Sequence, residues 1–190
     1  MRCLVCEKFS FSHMCQRCQD EFLVPQPEVR TLASGLKVLS FFSYDEVDFL
    51  LKTKHSYLGH YIYKILANKT MRAFTQAFKY ETVLDVVPID DKAEDGYAHT
   101  AVLAKSLKSR LLKPLYQTLH AQNPISYSGQ DLAFRKANPR NFQLKRQPKR
   151  DVILVDDIIT SGTTLGEAHS FLEKQNIQTI MAITLADANR

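Results

Sequence analysis

The chain has 190 residues, 45% of them hydrophobic, with eleven Phe and eight Tyr. It is therefore long and apolar enough to bury one sizeable core and carry a small appendage. A formal net charge of +5 makes it mildly basic, compatible with anionic partners without demanding them. No run reaches the roughly 18 apolar residues of a transmembrane helix, and "MRCLVCEKFSF" lacks a long apolar secretory stretch, so the expected compartment is the cytoplasm. There is no internal repeat and no low-complexity tract.

All four cysteines fall in the first 18 residues: Cys3 and Cys6 in "CLVC", Cys15 and Cys18 in "CQRC". Each Cys-x-x-Cys turn aims two thiolates at one point, and two turns complete a tetrahedron of the kind Zn²⁺ prefers. Four thiolates close the shell, so the metal is expected to be structural and the segment to depend on it for folding. Two redox dithiols or an iron–sulfur cluster use the same residues. His13, inside the loop, reads as solvated.

"DEFLVPQPEVRT" (20–31) carries two prolines and reads as the exit from a 1–24 knuckle into a linker over 25–34. The main domain is then 35–190. "GLKVLSFFSY" (35–44) reads as one or two strands, and 45–78 as two helices broken near "HSYLG". "TVLDVVPI" (82–89) is a buried strand ended by Pro88, and 96–111 is helical. Residues 133–150 hold seven Lys or Arg, no acid and two prolines, and read as a long exposed loop. "VILVDD" is a strand, "GTTLGEAHSFLEKQN" a helix and "IQTIMAITLA" the last strand. Strands alternating with helices predict a parallel sheet covered on both faces.

The stretch "DVILVDDIITSGTTL" (151–165) puts Asp156 and Asp157 at a strand end, directly before a polar turn and a helix start. Sites in open α/β sheets lie beyond the carboxyl ends of strands. The unpaired N–H groups of a helix start suit a phosphate, and carboxylates accept hydrogen bonds from vicinal hydroxyls. A ribose 5-phosphate satisfies both halves. An ordinary helix cap accounts for Ser161 or Thr163 alone, but not for two adjacent acids.

This stretch resembles the 5-phosphoribosyl-1-diphosphate (PRPP) motif of type I phosphoribosyltransferases. The resemblance implies an α/β fold with a parallel sheet flanked by helices. It puts Asp156 and Asp157, the catalytic candidates, on the ribose hydroxyls. It makes Thr160, Ser161, Gly162, Thr163 and Thr164 the 5′-phosphate loop, with Mg²⁺ accompanying PRPP. With the N-terminal knuckle, the whole resembles the ComF/GntX group of competence-related proteins. "VVP" (86–88) and "EDGYAHTAVLAKSL" (94–107) are similar to that group's strand end and helix start. Arg135, Asn138 and Phe142 resemble its Arg-x-x-Asn and later Phe, and Tyr44 with Lys52 or Lys54 its Tyr-initiated helix. Asp95 stands where the group has Arg before its Gly-aromatic pair, here Gly96 and Tyr97. Another cation must therefore meet a diphosphate, with Lys92, Lys52 and Lys54 as candidates. The group's Gln-x-x-Leu is not cleanly placed, although Gln130 and Leu132 lie near.

The resemblance implies a cytoplasmic competence protein that handles single-stranded DNA during natural transformation, peripheral to the inner membrane or free of it. A DNA-uptake helicase or inner-membrane DNA channel would be its protein partner. A working phosphoribosyltransferase and a non-catalytic adaptor are the alternatives. Arg135, Lys136, Arg140, Lys145, Arg146, Lys149 and Arg150 are the expected DNA contacts, and the same loop suits a lid over PRPP. In the knuckle, Lys8 and Arg17 lie among Phe9, Phe11 and Phe22. The histidines show no metal spacing and read as surface or satisfied core residues; His99 lies nearest a helix start.

Overall fold

The computed structural model describes residues 1–89, 97–123 and 132–190, and only the backbone of Leu132, Arg135 and Lys136. Lys92, Asp95, Gly96 and Gln130 lie outside the described residues, as do the side chains of the two DNA candidates Arg135 and Lys136.

The core is a mostly parallel sheet. Its strands are β1 (Glu28–Thr31), β2 (Lys37–Ser43), β3 (Leu84–Pro88), β4 (Leu112–Pro114), β7 (Val152–Val155), β8 (Ile158–Ile159) and β9 (Thr179–Asp187). They run in the order β1-β2-β9-β7-β3-β4, with β8 continuing alongside β9; only β1 is antiparallel. A separate antiparallel pair joins β5 (Leu119–Ala121) to β6 (Phe142–Leu144). The helices are α1 (Gln16–Phe22), α2 (Tyr44–Leu51), α3 (Gly59–Lys69), α4 (Met71–Ala77), α5 (His99–Ser106), α6 (Leu132–Ala137) and α7 (Thr163–Lys174), with a 3₁₀ turn at Lys52–His55.

A strand buried on both faces needs a continuous apolar run, because alternate side chains enter opposite layers. β7 meets that need. Ile153 and Val155 enter the core shared with α2–α5, whereas Val152 and Leu154 enter the core under α7 and the β5–β6 pair. Two adjacent connections diverge at this point. β3 continues through α5 to β4 on one side, and β7 through α7 to β9 on the other. The carboxyl ends of β3 and β7 therefore flank a topological switch point, where open α/β sheets form their ligand crevice.

The α/β class, the parallel sheet and the helices on both faces are as expected. Two expectations change. The stretch read as a linker holds β1, which follows its two prolines and pairs with β2, Val29 facing Leu39. Residues 133–150 are not one exposed loop: they contain α6 and β6, and Phe142 buries beside Leu119 and Leu165. Strands of two or three residues, such as β4, β5 and β8, are too short to display a period. The break near "HSYLG" is present, followed by a second between α3 and α4 at Thr70.

The knuckle packs on the same core. Cys3, Met14, Cys18 and Leu23 are buried in one cluster with Phe41, Ile62 and Leu66. Lys69 pairs with Asp20 at 2.5 Å, and the His13 ring rests 4.6 Å from that of Tyr61, so His13 is packed rather than merely solvated.

Candidate phosphate-binding site and metal centre

β7 ends at Val155 and the chain stays beside β9. Asp156 N–H donates to the Ile183 carbonyl at 3.1 Å, and the Asp157 carbonyl accepts from Leu185 and Ala186 at 3.0 and 3.1 Å. This backbone course sends the two carboxylates to different surroundings. Asp156 is half-buried, with its Oδ1 accepting from the Asp157 N–H at 2.8 Å. Asp157 is only 5% exposed and turns inward. Its Oδ2 accepts from Lys54 Nζ at 3.0 Å and from the Tyr63 hydroxyl at 2.9 Å, with His99 Nε2 at 3.5 Å.

Burial alone would push the Asp157 carboxyl up, because a low-dielectric site disfavours charge. The His99 imidazole, the Lys54 ammonium and the Tyr63 hydroxyl outweigh it and hold the group at about 2. Lys54 is half-buried, which alone would lower its pKa, yet Asp157 keeps that pKa above the ordinary lysine value. Burial and the adjacent carboxylate push the Tyr63 phenol well up. The folded-state pKa of Asp157 lies below its ordinary 3.8, so its stabilisation is present above pH 3.8 and lost as pH falls through about 2. A shift of this size corresponds to about 2 kcal/mol. Acid titration monitored by circular dichroism is expected to show Asp157→Asn less stable than wild type by that amount at neutral pH. The gap should close between pH 4 and 2, and a pH-independent gap would refute the assignment.

Lys54 is positioned by its own turn. The Tyr97 hydroxyl donates to the Lys54 carbonyl at 2.8 Å. That contact exists because residue 59 is glycine: a Cβ there would collide with the Tyr97 hydroxyl and the Thr53 carbonyl. Lys52, the neighbouring candidate, instead pairs with Asp48 on the surface at 2.5 Å.

The turn after the carboxylates is anchored from outside. The Thr160 carbonyl accepts from Arg30 Nη2 at 2.6 Å and from Asn189 Nδ2 at 3.0 Å, and Arg30 pairs with Asp187 at 3.0 Å. Gly162 takes φ +78°, a left-handed conformation costly for other residues, and its missing Cβ leaves room for Leu32 Cδ2, 2.6 Å from where a Cβ would stand. Gly162, the residue before α7, has no side chain to cap that helix, and the Thr163 N–H makes a long 3.4 Å contact to Ser161 Oγ. Exposed Ser161 shares a 2.8 Å hydrogen bond with Thr163, and Thr164 is half-buried in the first turn. The residues 160–164 thus form one compact turn at an uncapped helix start, where N–H groups lack intrahelical partners.

The four cysteine sulfurs lie within 4.8 Å of one another, with Cys6 and Cys15 3.8 Å apart and no disulfide among them. Four sulfurs about 2.3 Å from a tetrahedral Zn²⁺ stand about 3.8 Å apart, so the cluster fits a metal with little adjustment. Burial pushes the Cys3 thiol up, but N–H groups of Cys6, Cys15 and Val5 bring it down to about 6, as suits a thiolate ligand. The Cys15 N–H donates to the Cys3 sulfur at 3.3 Å.

The basic candidates do not form one surface. The Lys149 N–H and the Arg150 guanidinium hold buried Asp85 at 3.0 and 2.9 Å. Asp85 faces Val152, at the start of β7, so these residues sit a strand length, about 13 Å, from the carboxylates. Arg140 donates its N–H to Glu167 on α7 at 2.8 Å, whereas Lys145 and Arg146 are exposed near Tyr116 and His120. In the knuckle, Arg17 pairs with Glu21 at 2.8 Å, and Phe9, Phe11 and Phe22 are exposed.

Sequence reasoning missed Tyr63, Arg30 and Asn189. Tyr63 sits in an apolar helix row that hides its hydroxyl, and Arg30 lies in the segment read as linker. Lys54 was visible only as a cation near the site.

A family model described as "Phosphoribosyl transferase domain" matches residues 119–190, which include both carboxylates and the turn. Comparison with curated proteins gives no match. Among solved structures, a hypoxanthine phosphoribosyltransferase from Staphylococcus aureus is 15% identical with TM-score 0.41, covering 66% of this chain. This chain spans 62% of that one, less than two thirds of its length. An adenine phosphoribosyltransferase is 15% identical with TM-score 0.44, covering 89% of this chain and 88% of that one. An orotate phosphoribosyltransferase from Aeropyrum pernix is 17% identical with TM-score 0.39, covering 88% and 78%. Residues 119–190 are thus similar to a phosphoribosyl transferase domain, preceded in this chain by a four-cysteine cluster able to hold a metal ion.

Proposed function

We propose that the chain binds PRPP or a related phosphoribosyl ligand in the crevice between β3 and β7. The observation that carries this reading is the Gly162 turn at the uncapped start of α7, directly after Asp156 and Asp157. The 5′-phosphate is assigned to the N–H groups and hydroxyls of 160–164. The ribose diol is assigned to the carboxylates, Asp156 from the half-exposed side and Asp157 where the diol competes with Lys54. Lys54 then supplies the cation for a diphosphate that the group's Arg supplies elsewhere. Asp156 offers the hard oxygen donor that suits Mg²⁺, which when bound neutralises diphosphate charge. The metal of the knuckle is assigned as structural Zn²⁺.

The wider role, implied by the resemblance to the ComF/GntX group, is handling of single-stranded DNA in natural transformation, in the cytoplasm. No helix among the described residues is long and apolar enough to cross a membrane. A working transferase is the second reading, in keeping with the match of residues 119–190 to a phosphoribosyl transferase domain; release of pyrophosphate from PRPP with an acceptor is its signature. The two halves of the binding reading separate by competition. Ribose 5-phosphate is expected to displace PRPP, inorganic phosphate to do so more weakly, and ribose alone not at all. Equal competition by ribose and ribose 5-phosphate would contradict the role given to the turn.

A further inference from the structure

The protein's positive charge is concentrated in its helical layer. Residues 49–80 and 97–123, which supply α3, α4 and α5, contain ten Lys and Arg and not one Asp or Glu. The chain as a whole is only +5, so the remainder is net acidic. Lys64, Arg72, Lys105 and Lys108 on this layer are exposed, and none has an ion-pair partner among the described residues.

The same layer carries a row of rings. Tyr57, 79% exposed, lies 5.7 Å from Tyr61, 38% exposed. Tyr61 is 4.6 Å from His13 of the knuckle and 5.6 Å from His60, which is 5.5 Å from Tyr97. The row therefore runs from the knuckle to the residue that holds the Lys54 carbonyl. Lys64 follows His60 by one turn of α3, and Lys105 lies on α5, the helix packed against α3, so both cations share the layer that carries the rings. The Tyr57 and Tyr61 hydroxyls share a 3.1 Å hydrogen bond, yet both rings leave apolar surface in water that burial would remove.

From this we infer that the α3/α5 face is the single-strand track, with bases stacking on Tyr57 and Tyr61 and phosphates meeting Lys64 and Lys105. The inference rests on the single-stranded DNA reading and moves its location away from the 138–150 segment, whose cations the fold disperses. Unpaired bases present π-faces that a duplex hides, and a row of aromatic side chains between cations is the arrangement that holds them. The packed His13 ties the knuckle to this track.

The test is fluorescence anisotropy of zinc-loaded full-length protein with a labelled oligothymidine, at several salt concentrations, with a duplex of equal length alongside. Tyr57→Ala with Tyr61→Ala should weaken single-strand binding about tenfold or more. Lys64→Gln with Lys105→Gln should weaken it and lower the salt slope by about 1.4, since each single-strand phosphate contact contributes roughly 0.7. Lys145→Gln with Arg146→Gln should leave it near wild type. All are surface changes, and unaltered melting temperatures check the fold. Wild-type affinity in both helix variants, with binding lost in the Lys145/Arg146 variant, would overturn the track and keep the DNA reading. Equally tight duplex binding would overturn the stacking role. No single-strand binding by the wild type would remove the DNA reading and the track together.

Discussion

Cys15→Ser is expected to release the knuckle's metal and lower the melting temperature of the whole chain by roughly 6–12 °C, not merely to loosen its first 24 residues. The reason is the shared core. Cys3, Met14, Cys18 and Leu23 are buried in the cluster that includes Phe41, Ile62 and Leu66. The knuckle has one short helix and one isolated bridge, Arg2 to Phe9, to define its shape without a metal. Removing one thiolate opens the closed shell, and in small metal domains binding free energy is folding free energy. Exposing part of that cluster costs about 3 kcal/mol, in the range of large-to-small core substitutions, and each kcal/mol shifts the midpoint by about 2–4 °C at this size. Differential scanning calorimetry with metal analysis checks both quantities. A variant that keeps its full metal content and melting temperature would contradict the four-thiolate site.

Asp156→Asn combined with Asp157→Asn is expected to weaken PRPP binding at least 100-fold. Each carboxylate that accepts from a ribose hydroxyl makes a charge-assisted hydrogen bond worth about 1.5–3 kcal/mol, so losing two accounts for that factor or more. The single variants should differ from each other. Asp156 is half-exposed, so Asp156→Asn should lower affinity with a smaller loss of stability than Asp157→Asn. Asp157 also anchors Lys54 and Tyr63 across the core, so Asp157→Asn should lower affinity and stability together. Equal stability losses in the two singles would contradict the division of labour drawn from their burial.

The parts of the fold legible in the sequence were those with enough residues to show a pattern. β7 announced itself by four apolar residues ending in two acids, and α7 by its polar start and apolar stripe. The cysteine cluster was legible because its spacing is a chemical requirement. What stayed hidden was set by distant contacts. Nothing local in "EVRT" shows that Arg30 reaches the Thr160 carbonyl, 130 residues away. Two adjacent acids look alike in sequence, yet Asp157 is the one turned inward, where the Lys54 ammonium and the Tyr63 hydroxyl donate to it. The basic run at 133–150 looked like a single surface because charge is visible in sequence and direction is not. Asp85, buried and waiting for a partner at the start of β3, takes Arg150 out of it.

The most direct test of the account is calorimetric titration of the zinc-loaded protein with PRPP and Mg²⁺, on wild type and on the Asp156/Asp157 double variant, with stability measured alongside. Saturable binding near one ligand per chain is expected in the wild type, and none at the same concentrations in a folded double variant. Absence of binding in wild type, or undiminished binding in the double variant, would contradict the assignment of the carboxylates and the Gly162 turn to a phosphoribosyl ligand.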